Sequence, residues 1–476
     1  MPPDVTSPAL VPAPLATTSP SRFTGRRVHF IGIGGCGMAG LAAMLLDAGA
    51  IVTGSEPKPN AQTFALTKRG AQISRDQMGE LLGTEIDLVV RTAAVHDDNR
   101  EFLAAKAYGI RTIKYAEMLG EVMAERHGIA IAGTHGKSTT TAMTAYALMK
   151  CGVDPSFVVG GTVPQLNGSS HSGAGSAFVA EACEFDRSFH HLHPRVAVIT
   201  NIEEDHLDCY KDINDIVASF RHFASIVPAT DGLIIANGKD ARVIEALAGV
   251  KSPVELCALA DGFAWSTKIS GIENGCYRGV VTYKGQPACD LWLSVAGEHN
   301  LINATMAVAA CKTCGVEPRD AAAALASFSG VDRRMMEVGK VNGALVVDDY
   351  GHHPTEIRAT LKALRERYSP TRLFCVFQPH QHSRTRFLLD DFAESFSNAD
   401  ETIVPDIYFV RDSESEKQRV SSEMLVKRIG DVGHKAQHLP QFAQIVSYLK
   451  SEAREGDLIV MMGAGNVWEI GRDLVG

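Results

Sequence analysis

The stretch Gly133-Thr134-His135-Gly136-Lys137-Ser138-Thr139-Thr140-Thr141 decides the fold of this 476-residue chain. The apolar run before it, residues 128–132, predicts a buried parallel strand, and residues 139–150 after it predict a helix. Strand, glycine turn and helix form a phosphate cradle, because the glycines let backbone N–H groups approach phosphate oxygens. The stretch therefore predicts a nucleoside triphosphate site, with Lys137 at the β/γ-phosphates and Ser138 on Mg²⁺. The common motif has a glycine at position 131, where this chain has isoleucine.

Length, charge and composition limit the class of protein. At roughly 150 residues per domain, the chain should form three domains, which we expect at 22–124, 125–329 and 330–476. The net charge of −9, without a long basic run, argues against a nucleic-acid surface. Residues 1–21 are rich in Pro, Ser, Thr and Ala and predict a disordered tail, not a signal peptide. No apolar run suggests a membrane span, and the scattered cysteines favour a reduced, cytoplasmic protein.

A second glycine motif opens the first domain. Gly32, Gly34 and Gly37 follow a predicted strand at 27–31, and a second strand leads to Glu56, in the pattern of a dinucleotide fingerprint. The fingerprint accommodates a diphosphate and a ribose, so NAD and a nucleotide-sugar such as a UDP-sugar both remain open. Another strand, 86–91, ends at Thr92, where ligands commonly bind. The candidate ligand residues are Gly32, Gly34, Gly35, Gly37, Met38, Glu56 and Thr92.

Acidic residues follow two predicted strands of the middle domain. Glu181 ends strand 177–181, and the motif N-I-E-E-D-H-L-D, residues 201–208, follows strand 196–200. Acids at the carboxyl ends of parallel strands beside a phosphate loop can bind Mg²⁺. We expect Glu181 and His206 as ligands, with Asp205 and Asp208 as further candidates; the alternative is that these acids cap the next helix. Glu203 is expected on the surface of the turn.

Two asparagines are candidates for contact with a base. Asn300 and Asn303 lie at i, i+3 spacing at the start of an alanine-rich helix. They could serve a nucleotide base or cap the helix, and the sequence leaves both open.

The third domain has polar or glycine residues after three predicted strands. These strands, 344–347, 372–377 and 457–462, mark one ligand-facing edge of a doubly wound sheet. Arg333 and Arg334 at the domain junction could reach a neighbouring phosphate. The chain has many histidines, but nothing in the sequence supplies tetrahedral spacing, so zinc is not expected.

Six motifs in this order resemble those of the peptidoglycan Mur ligases. They are G-I-G-G-C-G-M-A-G, G-T-H-G-K-S-T-T-T, N-I-E-E-D-H-L-D, G-E-H-N-L-I-N-A, D-D-Y-G-H-H-P-T-E and Q-P-H. The resemblance covers nearly the whole chain after residue 22 and is most specific for the first amino-acid-adding member. It implies an α/β protein with a Rossmann-like N-terminal domain, a central P-loop ATPase-like domain with a mostly parallel sheet, and a C-terminal doubly wound domain.

The resemblance also implies an activity and its residues. The activity is ATP- and Mg²⁺-dependent joining of L-alanine to the carboxylate of UDP-N-acetylmuramate through an acyl phosphate. UDP, not NAD, would bind residues 32–40. Mg²⁺ would bind Ser138, Glu181 and His206, while Tyr350, His352, His380 and Arg384 would face the alanine and the muramyl carboxylate. ATP would contact Gly133, Thr134, His135, Gly136, Lys137, Ser138, Thr139, Asn300, Asn303, Arg333 or Arg334, and Asp349. We expect a monomer or weak homodimer.

The chain departs from the family pattern at a few positions. Ser138 replaces the usual threonine and keeps its hydroxyl, whereas Cys183 replaces an acid and Gln381 replaces an arginine. These changes affect fine substrate contacts. Two rival interpretations remain: an NAD-dependent oxidoreductase fused to an ATPase, and a nucleotide-binding scaffold without catalysis.

Overall fold

A computed structural model describes residues 21–92 and 94–476. The predicted disordered tail, residues 1–21, lies outside the described residues apart from Ser21. Three sheets with helices on their faces account for the described chain, so the predicted α/β class is confirmed.

The first sheet has five parallel strands in the order β3-β2-β1-β4-β5. Its central strands, β1, β2 and β4, are mostly buried, whereas the edge strands β3 and β5 are short and partly exposed. Its elements are β1 (Arg27–Ile31), α1 (Cys36–Asp47), β2 (Ile51–Ser55), α2 (Ala61–Lys68), β3 (Gln72–Ser74), β4 (Leu88–Arg91), α3 (Arg100–Ala107), β5 (Thr112–Lys114) and α4 (Tyr115–Met123).

The second sheet has ten strands in the order β15-β14-β13-β12-β11-β10-β6-β9-β7-β8. Its centre is parallel, and antiparallel hairpins extend both edges. Its elements are β6 (His127–Ala132), α5 (Lys137–Lys150), β7 (Ser156–Val163), β8 (Gly168–His171), β9 (Ala177–Glu181), β10 (Val196–Ile199), α6 (Ile213–Ile226), β11 (Leu233–Asn237), α7 (Ala241–Leu247), β12 (Val254–Ala258), β13 (Trp265–Glu273), β14 (Cys276–Tyr283), β15 (Gln286–Ala296), α8 (Glu298–Lys312) and α9 (Pro318–Leu325).

The third sheet has six strands in the order β16-β17-β21-β18-β19-β20, antiparallel only between β16 and β17. Its elements are β16 (Met336–Val341), β17 (Ala344–Asp349), α10 (Pro354–Tyr368), β18 (Leu373–Phe377), α11 (His382–Phe387), α12 (Leu389–Ala393), β19 (Glu401–Val404), α13 (Glu414–Lys417), α14 (Ser422–Asp431), β20 (Ala436–His438), α15 (Phe442–Glu452), β21 (Leu458–Met462) and α16 (Trp468–Val475). Short 3-10 turns occur at Pro164–Leu166, Phe185–His191 and Glu394–Phe396.

Strand order brings the predicted ligand-facing segments together. β6 lies between β10 and β9, so the phosphate loop after β6 is flanked by Glu181 at the end of β9 and by the 201–208 turn after β10. The carboxyl ends of β17, β21 and β18 are likewise adjacent. Ligands of open parallel sheets bind at such ends.

Candidate active site

The phosphate loop holds its lysine inside the loop. Gly136 has φ 81°, a left-handed conformation that glycine adopts readily, and α5 begins at the next residue. The Nζ of Lys137 donates to the carbonyl oxygens of Gly133 (2.6 Å) and Thr134 (3.1 Å), and to Oε1 of Glu184 (2.8 Å). Burial alone would lower the pKa of Lys137, but the Glu184 carboxylate raises it above its ordinary value. Lys137 is therefore cationic where a phosphate would lie.

Two buried polar atoms beside the loop have no hydrogen-bond partner among the described residues. They are Oε2 of Glu184 and Nδ1 of His206. The Nε2 of His206 lies 3.8 Å from Oε1 of Glu184, and His206 itself has φ 54°. Glu181, on the neighbouring strand, accepts a hydrogen bond from the Gly160 amide (2.7 Å). Because buried polar atoms are normally paired, these two unpaired atoms are suited to bind a cation. Ser138, Glu181 and His206 remain our predicted Mg²⁺ ligands.

A cavity of about 300 Å³ opens between the phosphate loop, α8 and the third domain. Asn300 donates to the Ala296 carbonyl (2.7 Å), and Asn303 donates to Oδ1 of Asn300 (3.3 Å). The N-cap of α8 is Gly297, without a side-chain cap, so the capping alternative for the two asparagines is wrong. Predicted ATP residues in the cavity wall are His135, Gly136, Ser138, Thr139, Asn300, Asn303, Arg334 and Asp349.

Arg333 and Arg334, at the domain junction, point to different parts of the structure. Arg334 lines the cavity, and its Nη1 lies 3.2 Å from Oε1 of Glu356. Arg333 instead faces the third sheet, where it donates to Oδ2 of Asp348 (2.9 Å) and to the Gly463 carbonyl (2.8 Å). Arg333 is thereby held away from the cavity wall, which corrects its candidacy for ATP. The sequence could not separate two adjacent arginines.

Asp349 is held at the cavity by backbone amides. Its carboxylate accepts from the amides of Met335 (2.9 Å) and Gly351 (2.8 Å). Burial raises the pKa of Asp349 to about 6.

The 201–208 turn contacts the third domain directly. Oε2 of Glu203 accepts from Oγ1 of Thr355 (2.6 Å) and lies 3.5 Å from Nε2 of His135. Although burial opposes both shifts, the contacts lower the pKa of Glu203 to about 2 and, with Glu356, raise that of His135 to about 9. Glu203 was expected on the surface, but its side chain is only 30% exposed, because Thr355 of α10 contacts it. Sequence analysis also missed His353, Thr355 and Glu356, although D-D-Y-G-H-H-P-T-E contains them.

The residues predicted to bind the amino acid lie close together, but Arg384 has a partner that was not expected. The rings of His352 and His380 are 6.3 Å apart, and Tyr350 lies 5.6 Å from His352. Arg384, however, directs Nε (2.9 Å) and Nη2 (2.8 Å) to Oδ1 of Asp205, and both side chains are buried. Only Nη1 of Arg384 faces His380, at 3.3 Å from Nδ1. Asp205 is thus an ion-pair partner, not a free metal ligand.

Gln381, the substitution for the family arginine, is almost fully buried. Its Nε2 lies 3.5 Å from Oδ2 of Asp208, across the same domain boundary. Asp208 thus faces an amide of the third domain.

The glycine turn of the first domain has the expected shape. Gly32 has φ 79°, and the Gly34 amide donates to Oε2 of Glu56 (3.0 Å). A Cβ on Gly34 would lie 2.6 Å from that oxygen, so a larger residue there would displace the Glu56 carboxylate. Gly35 is the N-cap of α1, and Gly37 lies against the hydroxyl of Tyr115.

Of the other two candidates in the first domain, Met38 differs from expectation and Thr92 stays a prediction. Met38 is 2% exposed on the inner face of α1, so its side chain belongs to the core, not to a ligand surface. Thr92 follows β4, and its Oγ1 accepts from the Ala94 amide (3.2 Å).

The fold and this cavity define a three-domain nucleotide-binding enzyme whose phosphate loop is met by a separate C-terminal domain. Family models cover most of the chain: "Mur ligase family, catalytic domain" matches residues 27–127, "Mur ligase middle domain" 131–311, and "Mur ligase, glutamate ligase domain" 333–465. The chain belongs to the Mur ligase family, and the resemblance drawn from the motifs is confirmed.

Relatives of known name agree with this family. The chain is 42% identical over 449 residues to the UDP-N-acetylmuramate–L-alanine ligase of Caldanaerobacter subterraneus subsp. tengcongensis, covering 94% of this chain and 96% of that protein. It is 44% identical over 452 residues to the ligase of the same name from Pelotomaculum thermopropionicum, covering 94% and 97%. The crystal structure of UDP-N-acetylmuramate-alanine ligase from Thermotoga maritima matches with a TM-score of 0.75 and 25% identity, covering 94% of this chain and 98% of that one.

Proposed function

We propose that this chain joins L-alanine to the carboxylate of UDP-N-acetylmuramate, using ATP, in the cytoplasmic synthesis of peptidoglycan precursors. The observation that carries the proposal is that three of the sequence motifs meet at one cavity: the phosphate loop, the 201–208 turn and the 348–356 segment of the third domain. Near-full-length relatives bearing that activity in their names support it. The ten cysteines are free thiols, which suits a reducing compartment.

The chemistry requires activation of a carboxylate. A carboxylate and an ammonium group do not condense in water, so the γ-phosphoryl group of ATP first passes to the muramyl carboxylate, giving ADP and an acyl phosphate. The α-amine of alanine then attacks the acyl carbon, the C–O bond to phosphate breaks, and inorganic phosphate leaves with the electron pair. The amine loses its proton in this step. The described residues need only position the reactants and stabilise charge.

The phosphate loop supplies the charge stabilisation. Lys137 is cationic and buried, and the amides at the start of α5 face the same region. In our proposal Lys137 exchanges part of its contact with Glu184 for the γ-phosphate. Mg²⁺, held by Ser138, Glu181 and His206, would supply further positive charge at the phosphate oxygens.

The base and ribose of ATP would occupy the cavity between α8 and the third domain. Asn300 and Asn303 supply amide groups from one wall, and Arg334 and Asp349 supply opposite charges from the other. Closure of this cavity requires the third domain, so ATP binding and domain approach are coupled in this proposal.

The amine and carboxylate substrates would meet near His352, His380 and Arg384. Burial lowers the pKa of His352 to about 3 and that of His380 to about 4, so both imidazoles are neutral at pH 7. With pKa values this low the imidazoles are poor bases, so their role would be to orient the alanine amine and the muramyl carboxylate by hydrogen bonds. Arg384 Nη1 is the guanidinium nitrogen that can face the amino-acid carboxylate, because Asp205 holds the other two.

The diphosphate of the UDP-sugar would lie on the glycine turn of the first domain. Gly35 leaves the first amides of α1 without a side-chain cap, and they offer donors to phosphate oxygens. Glu56 would reach the ribose through Oε1 while Oε2 keeps its bond to Gly34. Domain boundaries at residues 124/125 and 329/330 and a monomeric or weakly dimeric state belong to the same proposal.

Phosphate release tests the function. Purified protein is incubated with ATP and Mg²⁺, with UDP-N-acetylmuramate and L-alanine present together, singly or not at all. Release that requires both substrates supports the proposal. Release that does not depend on the two substrates would contradict the proposal. No release under any condition would favour the scaffold without catalysis, and an absorbance change of added NADH would favour the oxidoreductase.

A further inference from the structure

Three side chains from separate segments converge beside the cavity. They are His135 of the phosphate loop, Glu203 of the 201–208 turn, and His353, the N-cap of α10. One ligand atom from each lies within 4.8 Å of the other two. This cluster is separate from the predicted Mg²⁺ ligands, and its donors are two imidazoles and one carboxylate. Such a set favours Zn²⁺ or a similar transition metal over Mg²⁺, which prefers oxygen ligands.

The separations between donors fit direct coordination. Two donors about 2.1 Å from a tetrahedral ion lie about 3.4 Å apart. Oε2 of Glu203 is 3.5 Å from Nε2 of His135 and 3.7 Å from Nδ1 of His353. The ring centroids of the two histidines are 4.5 Å apart. Small side-chain rotations would complete a three-ligand site.

The outer ring nitrogens are also held as in metal sites. Metal-bound histidines usually donate their other nitrogen to a carbonyl or carboxylate. Nε2 of His353 lies 3.0 Å from the Glu204 carbonyl oxygen, which places the proton there. Nδ1 of His353 accepts the N-cap hydrogen bond from the Thr355 amide (3.3 Å), and a bound ion would take the place of that bond. Nδ1 of His135 lies 3.6 Å from Oε1 of Glu356, while its Nε2 is buried with no hydrogen-bond partner among the described residues.

The surroundings favour positive charge at this point. Carboxylates of Glu203 and Glu356 lie on either side of His135, 3.5 Å from its Nε2 and 3.6 Å from its Nδ1. Both carboxylates would attract a divalent cation bound at His135.

We propose that His135, Glu203 and His353 form a binding site for Zn²⁺ or a chemically similar transition-metal ion, joining the middle domain to the third. Two ligands come from the middle domain and one from the third, so a bound ion holds the two together. His135 and Glu203 also line the cavity, so the ion would lie at its wall. The site shares this wall with the proposed ATP site, so its metal binding is tested without nucleotide.

Cobalt is a suitable probe, since Co²⁺ bound by nitrogen and oxygen ligands absorbs visible light strongly when its coordination number is low. The full chain is titrated with Co²⁺ in excess Mg²⁺, without nucleotide, and Zn²⁺ is then added. We expect one Co²⁺ per chain and its displacement by Zn²⁺. Zn²⁺ should also raise the thermal midpoint of unfolding, because an ion that binds only the folded chain stabilises it.

Matched variants locate the ion. Glu203→Gln and His353→Gln should each weaken Co²⁺ binding at least about tenfold, the usual loss even for an outer-sphere partner. His206→Ala, at the predicted Mg²⁺ site, and His299→Ala, elsewhere in the cavity wall, should leave it unchanged. Glu203→Gln keeps the side-chain volume. It therefore still tests whether these residues bind the ion if His353→Gln disturbs the start of α10. Any of three results would overturn the proposal. They are no Co²⁺ absorption bands in the wild type, bands that survive Glu203→Gln, and bands that are lost in His206→Ala.

Discussion

Replacing Arg384 by lysine tests how the amino acid is held. The guanidinium of Arg384 places two nitrogens on Asp205 and turns the third toward His380. A lysine keeps the charge but has one donor group, so it cannot hold Asp205 and face a substrate carboxylate in the same geometry. The variant therefore loses about one charged hydrogen bond, worth about 1.5–3 kcal/mol.

That loss corresponds to about a 10- to 150-fold rise in the KM for alanine, at about 1.4 kcal/mol per factor of ten. The KM for ATP should hardly change, because Arg384 does not line the nucleotide cavity. Steady-state phosphate release, with alanine and ATP titrated separately, measures both constants.

Arg386→Lys is the matched control, since Arg386 lies on the same helix but pairs with Glu416 at a half-exposed position. An alanine KM that is equal in the Arg384 variant, the Arg386 variant and the wild type would refute the reasoning and place the carboxylate elsewhere.

Three further predictions follow from the site. Lys137→Ala should lower the rate of phosphate release by about 10²–10³-fold, while the affinity for the UDP-sugar, measured by calorimetry, stays near normal. Lys150→Ala, at the far end of α5, is the control. Near-normal turnover of the Lys137 variant would show that the phosphate loop is not the ATP site. Glu181→Gln should raise the Mg²⁺ concentration needed for half-maximal rate; an Mg²⁺ titration that matches the wild type would exclude Glu181 as a ligand. The pKa of His135 rises from 6.5 to about 9 on folding, so its contribution to stability is fully present below pH 6.5 and is lost as pH rises through about 9. The difference in thermal midpoint between wild type and His135→Gln should accordingly shrink over this range, and a difference independent of pH would contradict the assignment.

Much of the fold could be predicted because the strands of each domain can be recognised from local sequence. The predicted strands at 27–31 and 177–181 match β1 and β9 in full, and the helix predicted from residue 139 begins two residues earlier, at Lys137. Buried parallel strands are continuous apolar runs, and glycine turns mark their ends, so periodicity and turn chemistry suffice. The spacing of the glycines before Lys137 also made the phosphate loop recognisable from the sequence.

The contacts between domains could not be predicted. Glu203 was expected on the surface because local sequence does not show that Thr355 of α10 contacts it. Arg384 was expected to face the substrates, and its ion pair with Asp205 could not be foreseen because the two residues are 179 positions apart. The His135–Glu203–His353 cluster has no short-range spacing, since its members come from three segments. Met38 shows the opposite error: a motif position was assigned to a ligand although its helix turns the side chain into the core.

The position of β21 has a consequence for how the protein is made. β21 comes last among the strands in chain order, yet it lies between β17 and β18 and pairs with both along their length. During translation the third sheet therefore remains split until Leu458–Met462 has emerged from the ribosome. Until then Arg333 also lacks the Gly463 carbonyl that helps hold it. Nascent chains would expose the apolar edges of β17 and β18, and a stop codon shortly before β21 would leave a protein with two finished domains and no working third.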